Sequence, residues 1–237
     1  MASEYTLTDR ELGELLIRPD SRARRLTFRM KEGRLHVTVP PGTSVTALRR
    51  AIDELRPRLR KACLAHTQKL IDLDYRIDAE YFKLSLVCGN GTRFLARSEP
   101  GVMQIICPPD TDFADENLQT WLRKVIVEAL RNNAKAVLPA RMHELALRHG
   151  LECTGVKINT SRSRWGSCSA RKSINLSCYL MLLPTRLIDY VLLHELAHTR
   201  EMNHGERFWA LLDAMTGGKA RLLREEMKQY RTDLPDD

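Results

Sequence analysis

The 237-residue chain has no stretch approaching the ~18 uninterrupted apolar residues that a membrane-crossing helix requires. Its first residues, Met1-Ala2-Ser3-Glu4-Tyr5, are acidic and polar and lack the apolar segment of a secretory leader. These two absences lead to the expectation of a cytoplasmic protein with no membrane partner. Cys63, Cys88, Cys107, Cys153, Cys168 and Cys178 include no Cys-x-x-Cys pair. That argues against a disulfide framework and against a structural zinc site of paired cysteines, and reads most of them as small buried hydrophobes. No internal repeat and no low-complexity segment is apparent. The remainder is ordinary: 43% hydrophobic and 29% charged residues supply a core and a soluble surface. The length suits one large domain or two small ones.

Charge is unevenly spread. Residues 1–69 hold 15 Lys/Arg against 8 Asp/Glu, and the rest of the chain holds 23 against 22. The basic runs are Arg22-Ala23-Arg24-Arg25 and Arg56-Pro57-Arg58-Leu59-Arg60-Lys61. Such a bias either forms a solvated face or raises affinity for nucleic acid, nucleotides or acidic surfaces. Nucleic acid is therefore a candidate partner of the N-terminal third.

Hydrophobic periodicity organises the chain. Residues 1–20 read as a lead-in with a short helix. Residues 24–39 read as a hairpin turning at Glu32-Gly33 and stopped by Pro40-Pro41-Gly42. Ser44 caps a helix expected to reach about residue 69, with Val45, Leu48, Ile52, Leu55 and Leu59 at helical spacing. Three short strands are expected over 79–107, joined in sequence by turns at Gly89-Asn90-Gly91 and Glu99-Pro100-Gly101. Pro108-Pro109 then suggests a boundary near 108–113. The pattern from Asp115 to His149 is helical, with Pro139 expected to kink or split it and Gly150 to end it. Lys157 to Thr160 and Ser173 to Leu183 look extended. Helices follow Pro184, the Asn203-His204-Gly205 break and Gly217-Gly218. The expected division is 1–20 lead-in, 21–110 accessory α+β subdomain, 111–232 catalytic core and 233–237 tail.

The chemistry concentrates at His194-Glu195-Leu196-Ala197-His198. Four residues are just over one helical turn, so both imidazoles project from one face, ~6 Å apart, and can share one zinc ion. Glu195 lies ~100° around the helix and can act as general base on a water held at the metal. Leu187, Ile188, Tyr190, Val191, Leu192 and Leu193 make the preceding helix apolar, as a rigid ligand-bearing helix should be. The break at Asn203-His204-Gly205 can swing His204 back as a third ligand. Three histidines with an open position form a catalytic rather than a structural zinc site, with about one ion per chain. Nickel, cobalt and manganese also suit histidine and water. His143 and His149, six residues apart, diverge by ~240° on one helix and read as surface or packing residues.

The segment Ser161 to Ser169 is the other distinctive feature. Arg162, Arg164, Trp165 and Ser167, with Asn175 on the following strand, are candidate substrate-binding residues, suited to a polar or anionic ligand. Gly166 permits a tight turn. The strand beginning at Ile174 can present an edge to an extended peptide. Cys168 reads as a packing residue, with a fourth-ligand or latency role as the alternative.

Arg162 to Cys168, Ile174-Asn175-Leu176, Ile188-Asp189-Tyr190-Val191, the His-Glu-x-x-His motif, Asn203-His204 and Phe208-Trp209 together closely resemble the YgjP-like metallopeptidase-domain family. That family comprises predicted metal-dependent hydrolases related to the SprT-like and WLM zinc proteases. The resemblance covers roughly residues 20–230. It implies an α+β fold, a compact gluzincin-like zinc-helix core with a short sheet, beside an N-terminal β-hairpin, helix and β subdomain. It also implies His194, His198 and His204 as ligands and Glu195 as catalyst. Glu201 stands where a metzincin carries glycine, and Met215 falls in a helix rather than a Met-turn. Three readings follow: a zinc metallopeptidase acting on peptide or protein; a metal-dependent nucleoside triphosphate pyrophosphohydrolase on the same site; and a nucleic-acid-associated protein, in one form a DNA-associated SprT-like protease.

Overall fold

A computed structural model describes residues 4–31, 34–64 and 70–234. The chain divides into two compact units, one N-terminal to Leu70 and one from Leu70 onward. The expected boundary near 108–113 is not where the division falls, because residues 76–107 share a core with the helices that follow them. Among the described residues no helix is long and apolar enough to cross a membrane.

The first unit is a four-stranded sheet and a helix. Its strands are β1 (Tyr5–Asp9), β2 (Gly13–Pro19), β3 (Thr27–Lys31) and β4 (Arg34–Val39), in the order β1-β2-β4-β3. The pair β2/β4 is parallel and the outer pairs are antiparallel. Residues 5–19 are thus two strands, not a lead-in helix. Leu15 and Ile17 alternate at period two and pair in register with Leu35 and Val37. That face packs on Leu48, Ile52 and Leu59 of α1 (Val45–Leu64). Asp9 closes the first turn by accepting from the Glu11 and Leu12 amides, and it takes both terminal nitrogens of Arg56 at 2.9 and 3.0 Å. The Glu32-Gly33 turn and residues 65–69 lie outside the described residues. Arg18–Glu4, Arg34–Glu14, Arg50–Glu54, Arg56–Asp9 and Arg60–Glu11 pair within the unit and leave its net positive excess in place.

The second unit opens with the same design. Strands β5 (Arg76–Asp78), β6 (Lys83–Cys88), β7 (Leu95–Glu99) and β8 (Val102–Cys107) are ordered β5-β6-β8-β7, again with a parallel central pair. The expected turn at Glu99-Pro100-Gly101 joins β7 and β8 as an antiparallel hairpin, but β6 does not pair with β7 across Gly89-Asn90-Gly91: it pairs in parallel with β8, and β7 lies on the far side of β8. Helix α2 (Glu116–His149) follows. Residues 27, 34, 40 and 43 correspond to 95, 102, 108 and 111 at a constant offset. The corner between sheet and helix also repeats, Pro40-Pro41-Gly42-Thr43 against Pro108-Pro109-Asp110-Thr111. Thr43 Oγ1 donates to the Pro40 carbonyl and Thr111 Oγ1 to the Pro108 carbonyl, each at 2.7 Å. The chain thus carries one β4α module twice, contrary to the expectation of no repeat. Few identities accompany the shared topology, which is why it is not apparent from the residues.

The copies differ in what the helix does next. Asp115 caps α2 by accepting from the Leu118 amide, and Gly150 ends it in the left-handed region at φ 61°. The helix runs unbroken through Pro139. Its buried row Leu122, Ile126, Leu130, Ala134, Leu138 and Met142 joins the sheet residues Leu84, Leu86, Met103 and Ile105 to the rest of the unit. A three-stranded sheet follows: β9 (Gly155–Asn159), β10 (Gly166–Cys168) and β11 (Ser173–Ser177), ordered β10-β11-β9. The expected strand to Leu183 stops at Ser177, and Cys178–Leu182 form a 3₁₀ helix. Helices α3 (Thr185–Ala197), α4 (Glu206–Met215) and α5 (Ala220–Met227) complete the unit.

Candidate metal centre

Two side chains set the start and tilt of α3. Glu80, in the turn between β5 and β6, accepts from the Thr185 amide at 2.8 Å and from its hydroxyl, so a carboxylate sits at the positive end of the helix. Arg141 of α2 forks onto Asp189 of α3 at 2.8 and 2.6 Å. The helix is buried almost all round and delivers His194 and His198 at its last turn. After a tight turn at Thr199-Arg200, residues 203–205 reverse the chain, and Gly205 opens α4.

That reversal brings the third histidine in. Ligand nitrogens of His194, His198 and His204 all lie within 4.8 Å of one another. His194 Nε2 and His204 Nε2 are 3.1 Å apart. Nitrogens facing one ion at ~2.0–2.1 Å in a tetrahedron sit about 3.4 Å apart, so this spacing fits a shared metal. Phe208 of α4, fully buried, packs on all three rings and holds the cluster from one side. His198 Nδ1 lies 3.1 Å from the Glu201 carbonyl, an arrangement in which Nδ1–H donates and Nε2 keeps its lone pair for a metal. Burial, then the neighbouring histidines, pushes the His194 imidazole down to about 3. Burial also lowers His198. Neutral imidazoles are the form a metal binds.

Glu195 is buried beside this group, and burial pushes its carboxyl up to about 7 against the opposing effect of Arg164. Glu195 Oε2 and His194 Nδ1 are buried with no hydrogen-bond partner. An unpartnered buried polar atom costs roughly 1–3 kcal/mol, so Glu195 Oε2 beside three converging nitrogens marks a place for a group that completes it, whereas His194 Nδ1 is the ring nitrogen that does not face the cluster.

The cluster opens into a cleft of about 570 Å³ lined by Arg164, Trp165, Gly166, Tyr190, His194, Glu195, His204, Trp209 and Arg224, among others. Of the candidate substrate residues, Arg164 and Trp165 line it. Arg162 does not: it pairs with Asp233, and its carbonyl accepts from Thr232 Oγ1 at 2.6 Å. Ser167 and Asn175 face each other in the β10/β11 ladder and are not among the lining residues. Cys168 donates weakly to the Ser169 carbonyl and is not part of the histidine group. His143 is exposed on α2 and His149 half-buried, away from the cluster. Tyr190, Trp209 and Arg224 also line the cleft, and the sequence reading gave none of them a substrate-binding role. Arg221 and Arg224 stack over the Trp209 ring at 4.7 and 5.2 Å, a pairing no local pattern announces.

The edge of the three-stranded sheet is also reassigned. Strand β11 is paired on both sides, and the free edge beside the cleft belongs to β10, whose Gly166 lines it.

The model of the YgjP-like metallopeptidase domain matches residues 24–230. No curated protein is significantly similar in sequence. Among solved structures, the crystal structure of the metallopeptidase zymogen of Pyrococcus abyssi abylysin is 21% identical over 37% of this chain and 90% of that chain, with a TM-score of 0.34 that carries no argument. With most of its length matched by that family model, this chain belongs to the YgjP-like metallopeptidase-domain family.

Proposed function

We propose that the protein is a zinc metallopeptidase in which His194, His198 and His204 hold the ion and Glu195 is the general base. The observation that carries this is the juxtaposition of three imidazoles with a buried carboxyl group whose Oε2 has no partner, at the floor of a cleft. When bound, the metal lowers the pKa of a coordinated water and polarises the bond under attack. Three histidines are the donor set of catalytic zinc, and the implied compact gluzincin-like arrangement is part of the same reading.

The remaining steps belong to the chain. Glu195, raised toward neutrality by burial, accepts the proton of the attacking water and can return it to the leaving amine. His198 is held in one tautomer by the Glu201 carbonyl. The free edge of β10 can bind substrate backbone by strand addition, and Trp165 and Trp209 supply apolar walls. A second reading, nucleoside triphosphate hydrolysis, is favoured by one feature: among the described residues neither Arg164 nor Arg224 has an ion-pair partner, and both line the cleft.

A panel of denatured proteins and nucleoside triphosphates, assayed with the metal-loaded protein and Glu195→Gln, separates these readings. The expected result is proteolysis that falls by about 10²–10⁴-fold in Glu195→Gln, with metal content retained. Turnover of nucleotides alone would favour the second reading, and undiminished turnover by Glu195→Gln would remove Glu195 as base.

A further inference from the structure

Gly166 opens β10, and its φ is not in the left-handed region, so the backbone there does not require glycine. A glycine in a strand forfeits packing and marks a close approach. The approach here is Glu195. A Cβ built on Gly166 would lie 2.6 Å from Glu195 Oε1, 2.7 Å from Cγ and 2.8 Å from Cδ. The overlap reaches Cγ, so turning the carboxyl alone does not relieve it. The side chain has to leave its rotamer, and the carboxylate moves with it. Gly155, on β9 of the same sheet, has nothing within 4 Å of such a Cβ.

We infer that Gly166 is a positioning residue for Glu195: the missing side chain at the start of the edge strand is what lets the Glu195 carboxyl lie against β10 on the cleft floor. The inference rests on the reading of Glu195 as general base. It also ties the base to the strand offered to substrate, so that one residue sets both.

The test uses the full-length, metal-loaded chain and whichever substrate of the panel is turned over. It compares Gly166→Ala, Gly155→Ala, Glu195→Ala, Glu195→Gln and the double variant Gly166→Ala with Glu195→Ala. Metal content, melting temperature, kcat and KM are read for each. Gly166→Ala is expected to keep its metal, to melt at lower temperature and to lose about 10²-fold in kcat with little change in KM, the scale of a catalytic group misplaced by ~1 Å. Gly155→Ala is expected to match wild type. The double variant is expected to hold its metal and to melt like Glu195→Ala alone, because a side chain that ends at Cβ leaves open the space a Gly166 Cβ needs. Wild-type kcat in Gly166→Ala beside an inactive Glu195→Gln overturns the inference and leaves the base in place. Undiminished turnover by Glu195→Gln overturns the base itself. Should Gly166→Ala lose its metal, the double variant decides: metal content and melting temperature at the Glu195→Ala level support the inference, and additive losses overturn it.

Discussion

The two β4α modules share strand order, strand sense and a Pro-Pro-x-Thr corner, yet only the second shares a core with the helix that carries His194 and His198. In the first, α1 covers its sheet and closes a small core of its own. In the second, the helix is 34 residues instead of 20, and its buried row continues past the sheet to α3. The second sheet also supplies Glu80 to the N-terminus of α3, and α2 supplies Arg141 to its side. The difference teaches that the module itself is not the active element. It becomes a support when its helix outgrows its sheet and its turn residues reach the ligand-bearing helix.

The largest expected effect separates the two cores. Leu130→Ala should cost about 2–5 kcal/mol in the unit that carries the histidines and weaken metal binding. Ile52→Ala should cost a similar amount in a different unfolding transition and leave metal affinity unchanged. Calorimetry with and without metal reads both, and loss of metal affinity in Ile52→Ala would break the comparison.

Next come the arginine forks. Arg141→Ala should remove roughly 1–3 kcal/mol from the second unit and loosen the metal, because α3 loses a charge-assisted tether. Arg56→Ala should lower only the first transition, with a pH signature. The Arg56 guanidinium holds the Asp9 carboxyl down to about 2, below its ordinary value. Stability from that pair is therefore present above about pH 4 and fades as pH falls through about 2. Wild type and Arg56→Ala should accordingly converge in acid, and a gap that persists to the acid limit would show that the ion pair is not its source.

The smallest effect is the sharpest for the repeat. Thr43→Val and Thr111→Val each remove one corner hydrogen bond and should each cost about 0.5–1.5 kcal/mol in their own unit. Unequal costs, measured by denaturant unfolding, would show that the two corners are alike in form only.

Much of the site was legible before the structure. The His194/His198 spacing, the apolar run before it and the break at Asn203-His204-Gly205 are local signals, and helical geometry turns them into a three-nitrogen cluster. What was missed depends on distant partners. The alternation of Leu15 and Ile17 spans too few residues to displace a helix reading. The alternation of Ile174 and Leu176 passes straight into the apolar run from Cys178 to Leu183, and that pattern cannot reveal where a strand becomes a 3₁₀ helix. The parallel β2/β4 and β6/β8 pairs require crossovers that no turn residue announces. Arg162 and Arg164 look equivalent in sequence, and the pairing of Arg162 with Asp233, far along the chain, is not visible there. Gly166 reads as a turn glycine until Glu195 is seen against it.

The most direct measurement is the metal content of purified wild-type protein beside His204→Ala, by elemental analysis at equal protein concentration. About one ion per wild-type chain, lost or greatly weakened in the variant, is the expected result. An unchanged metal content and affinity in His204→Ala would mean that the third histidine, and with it the three-nitrogen centre, is wrongly assigned.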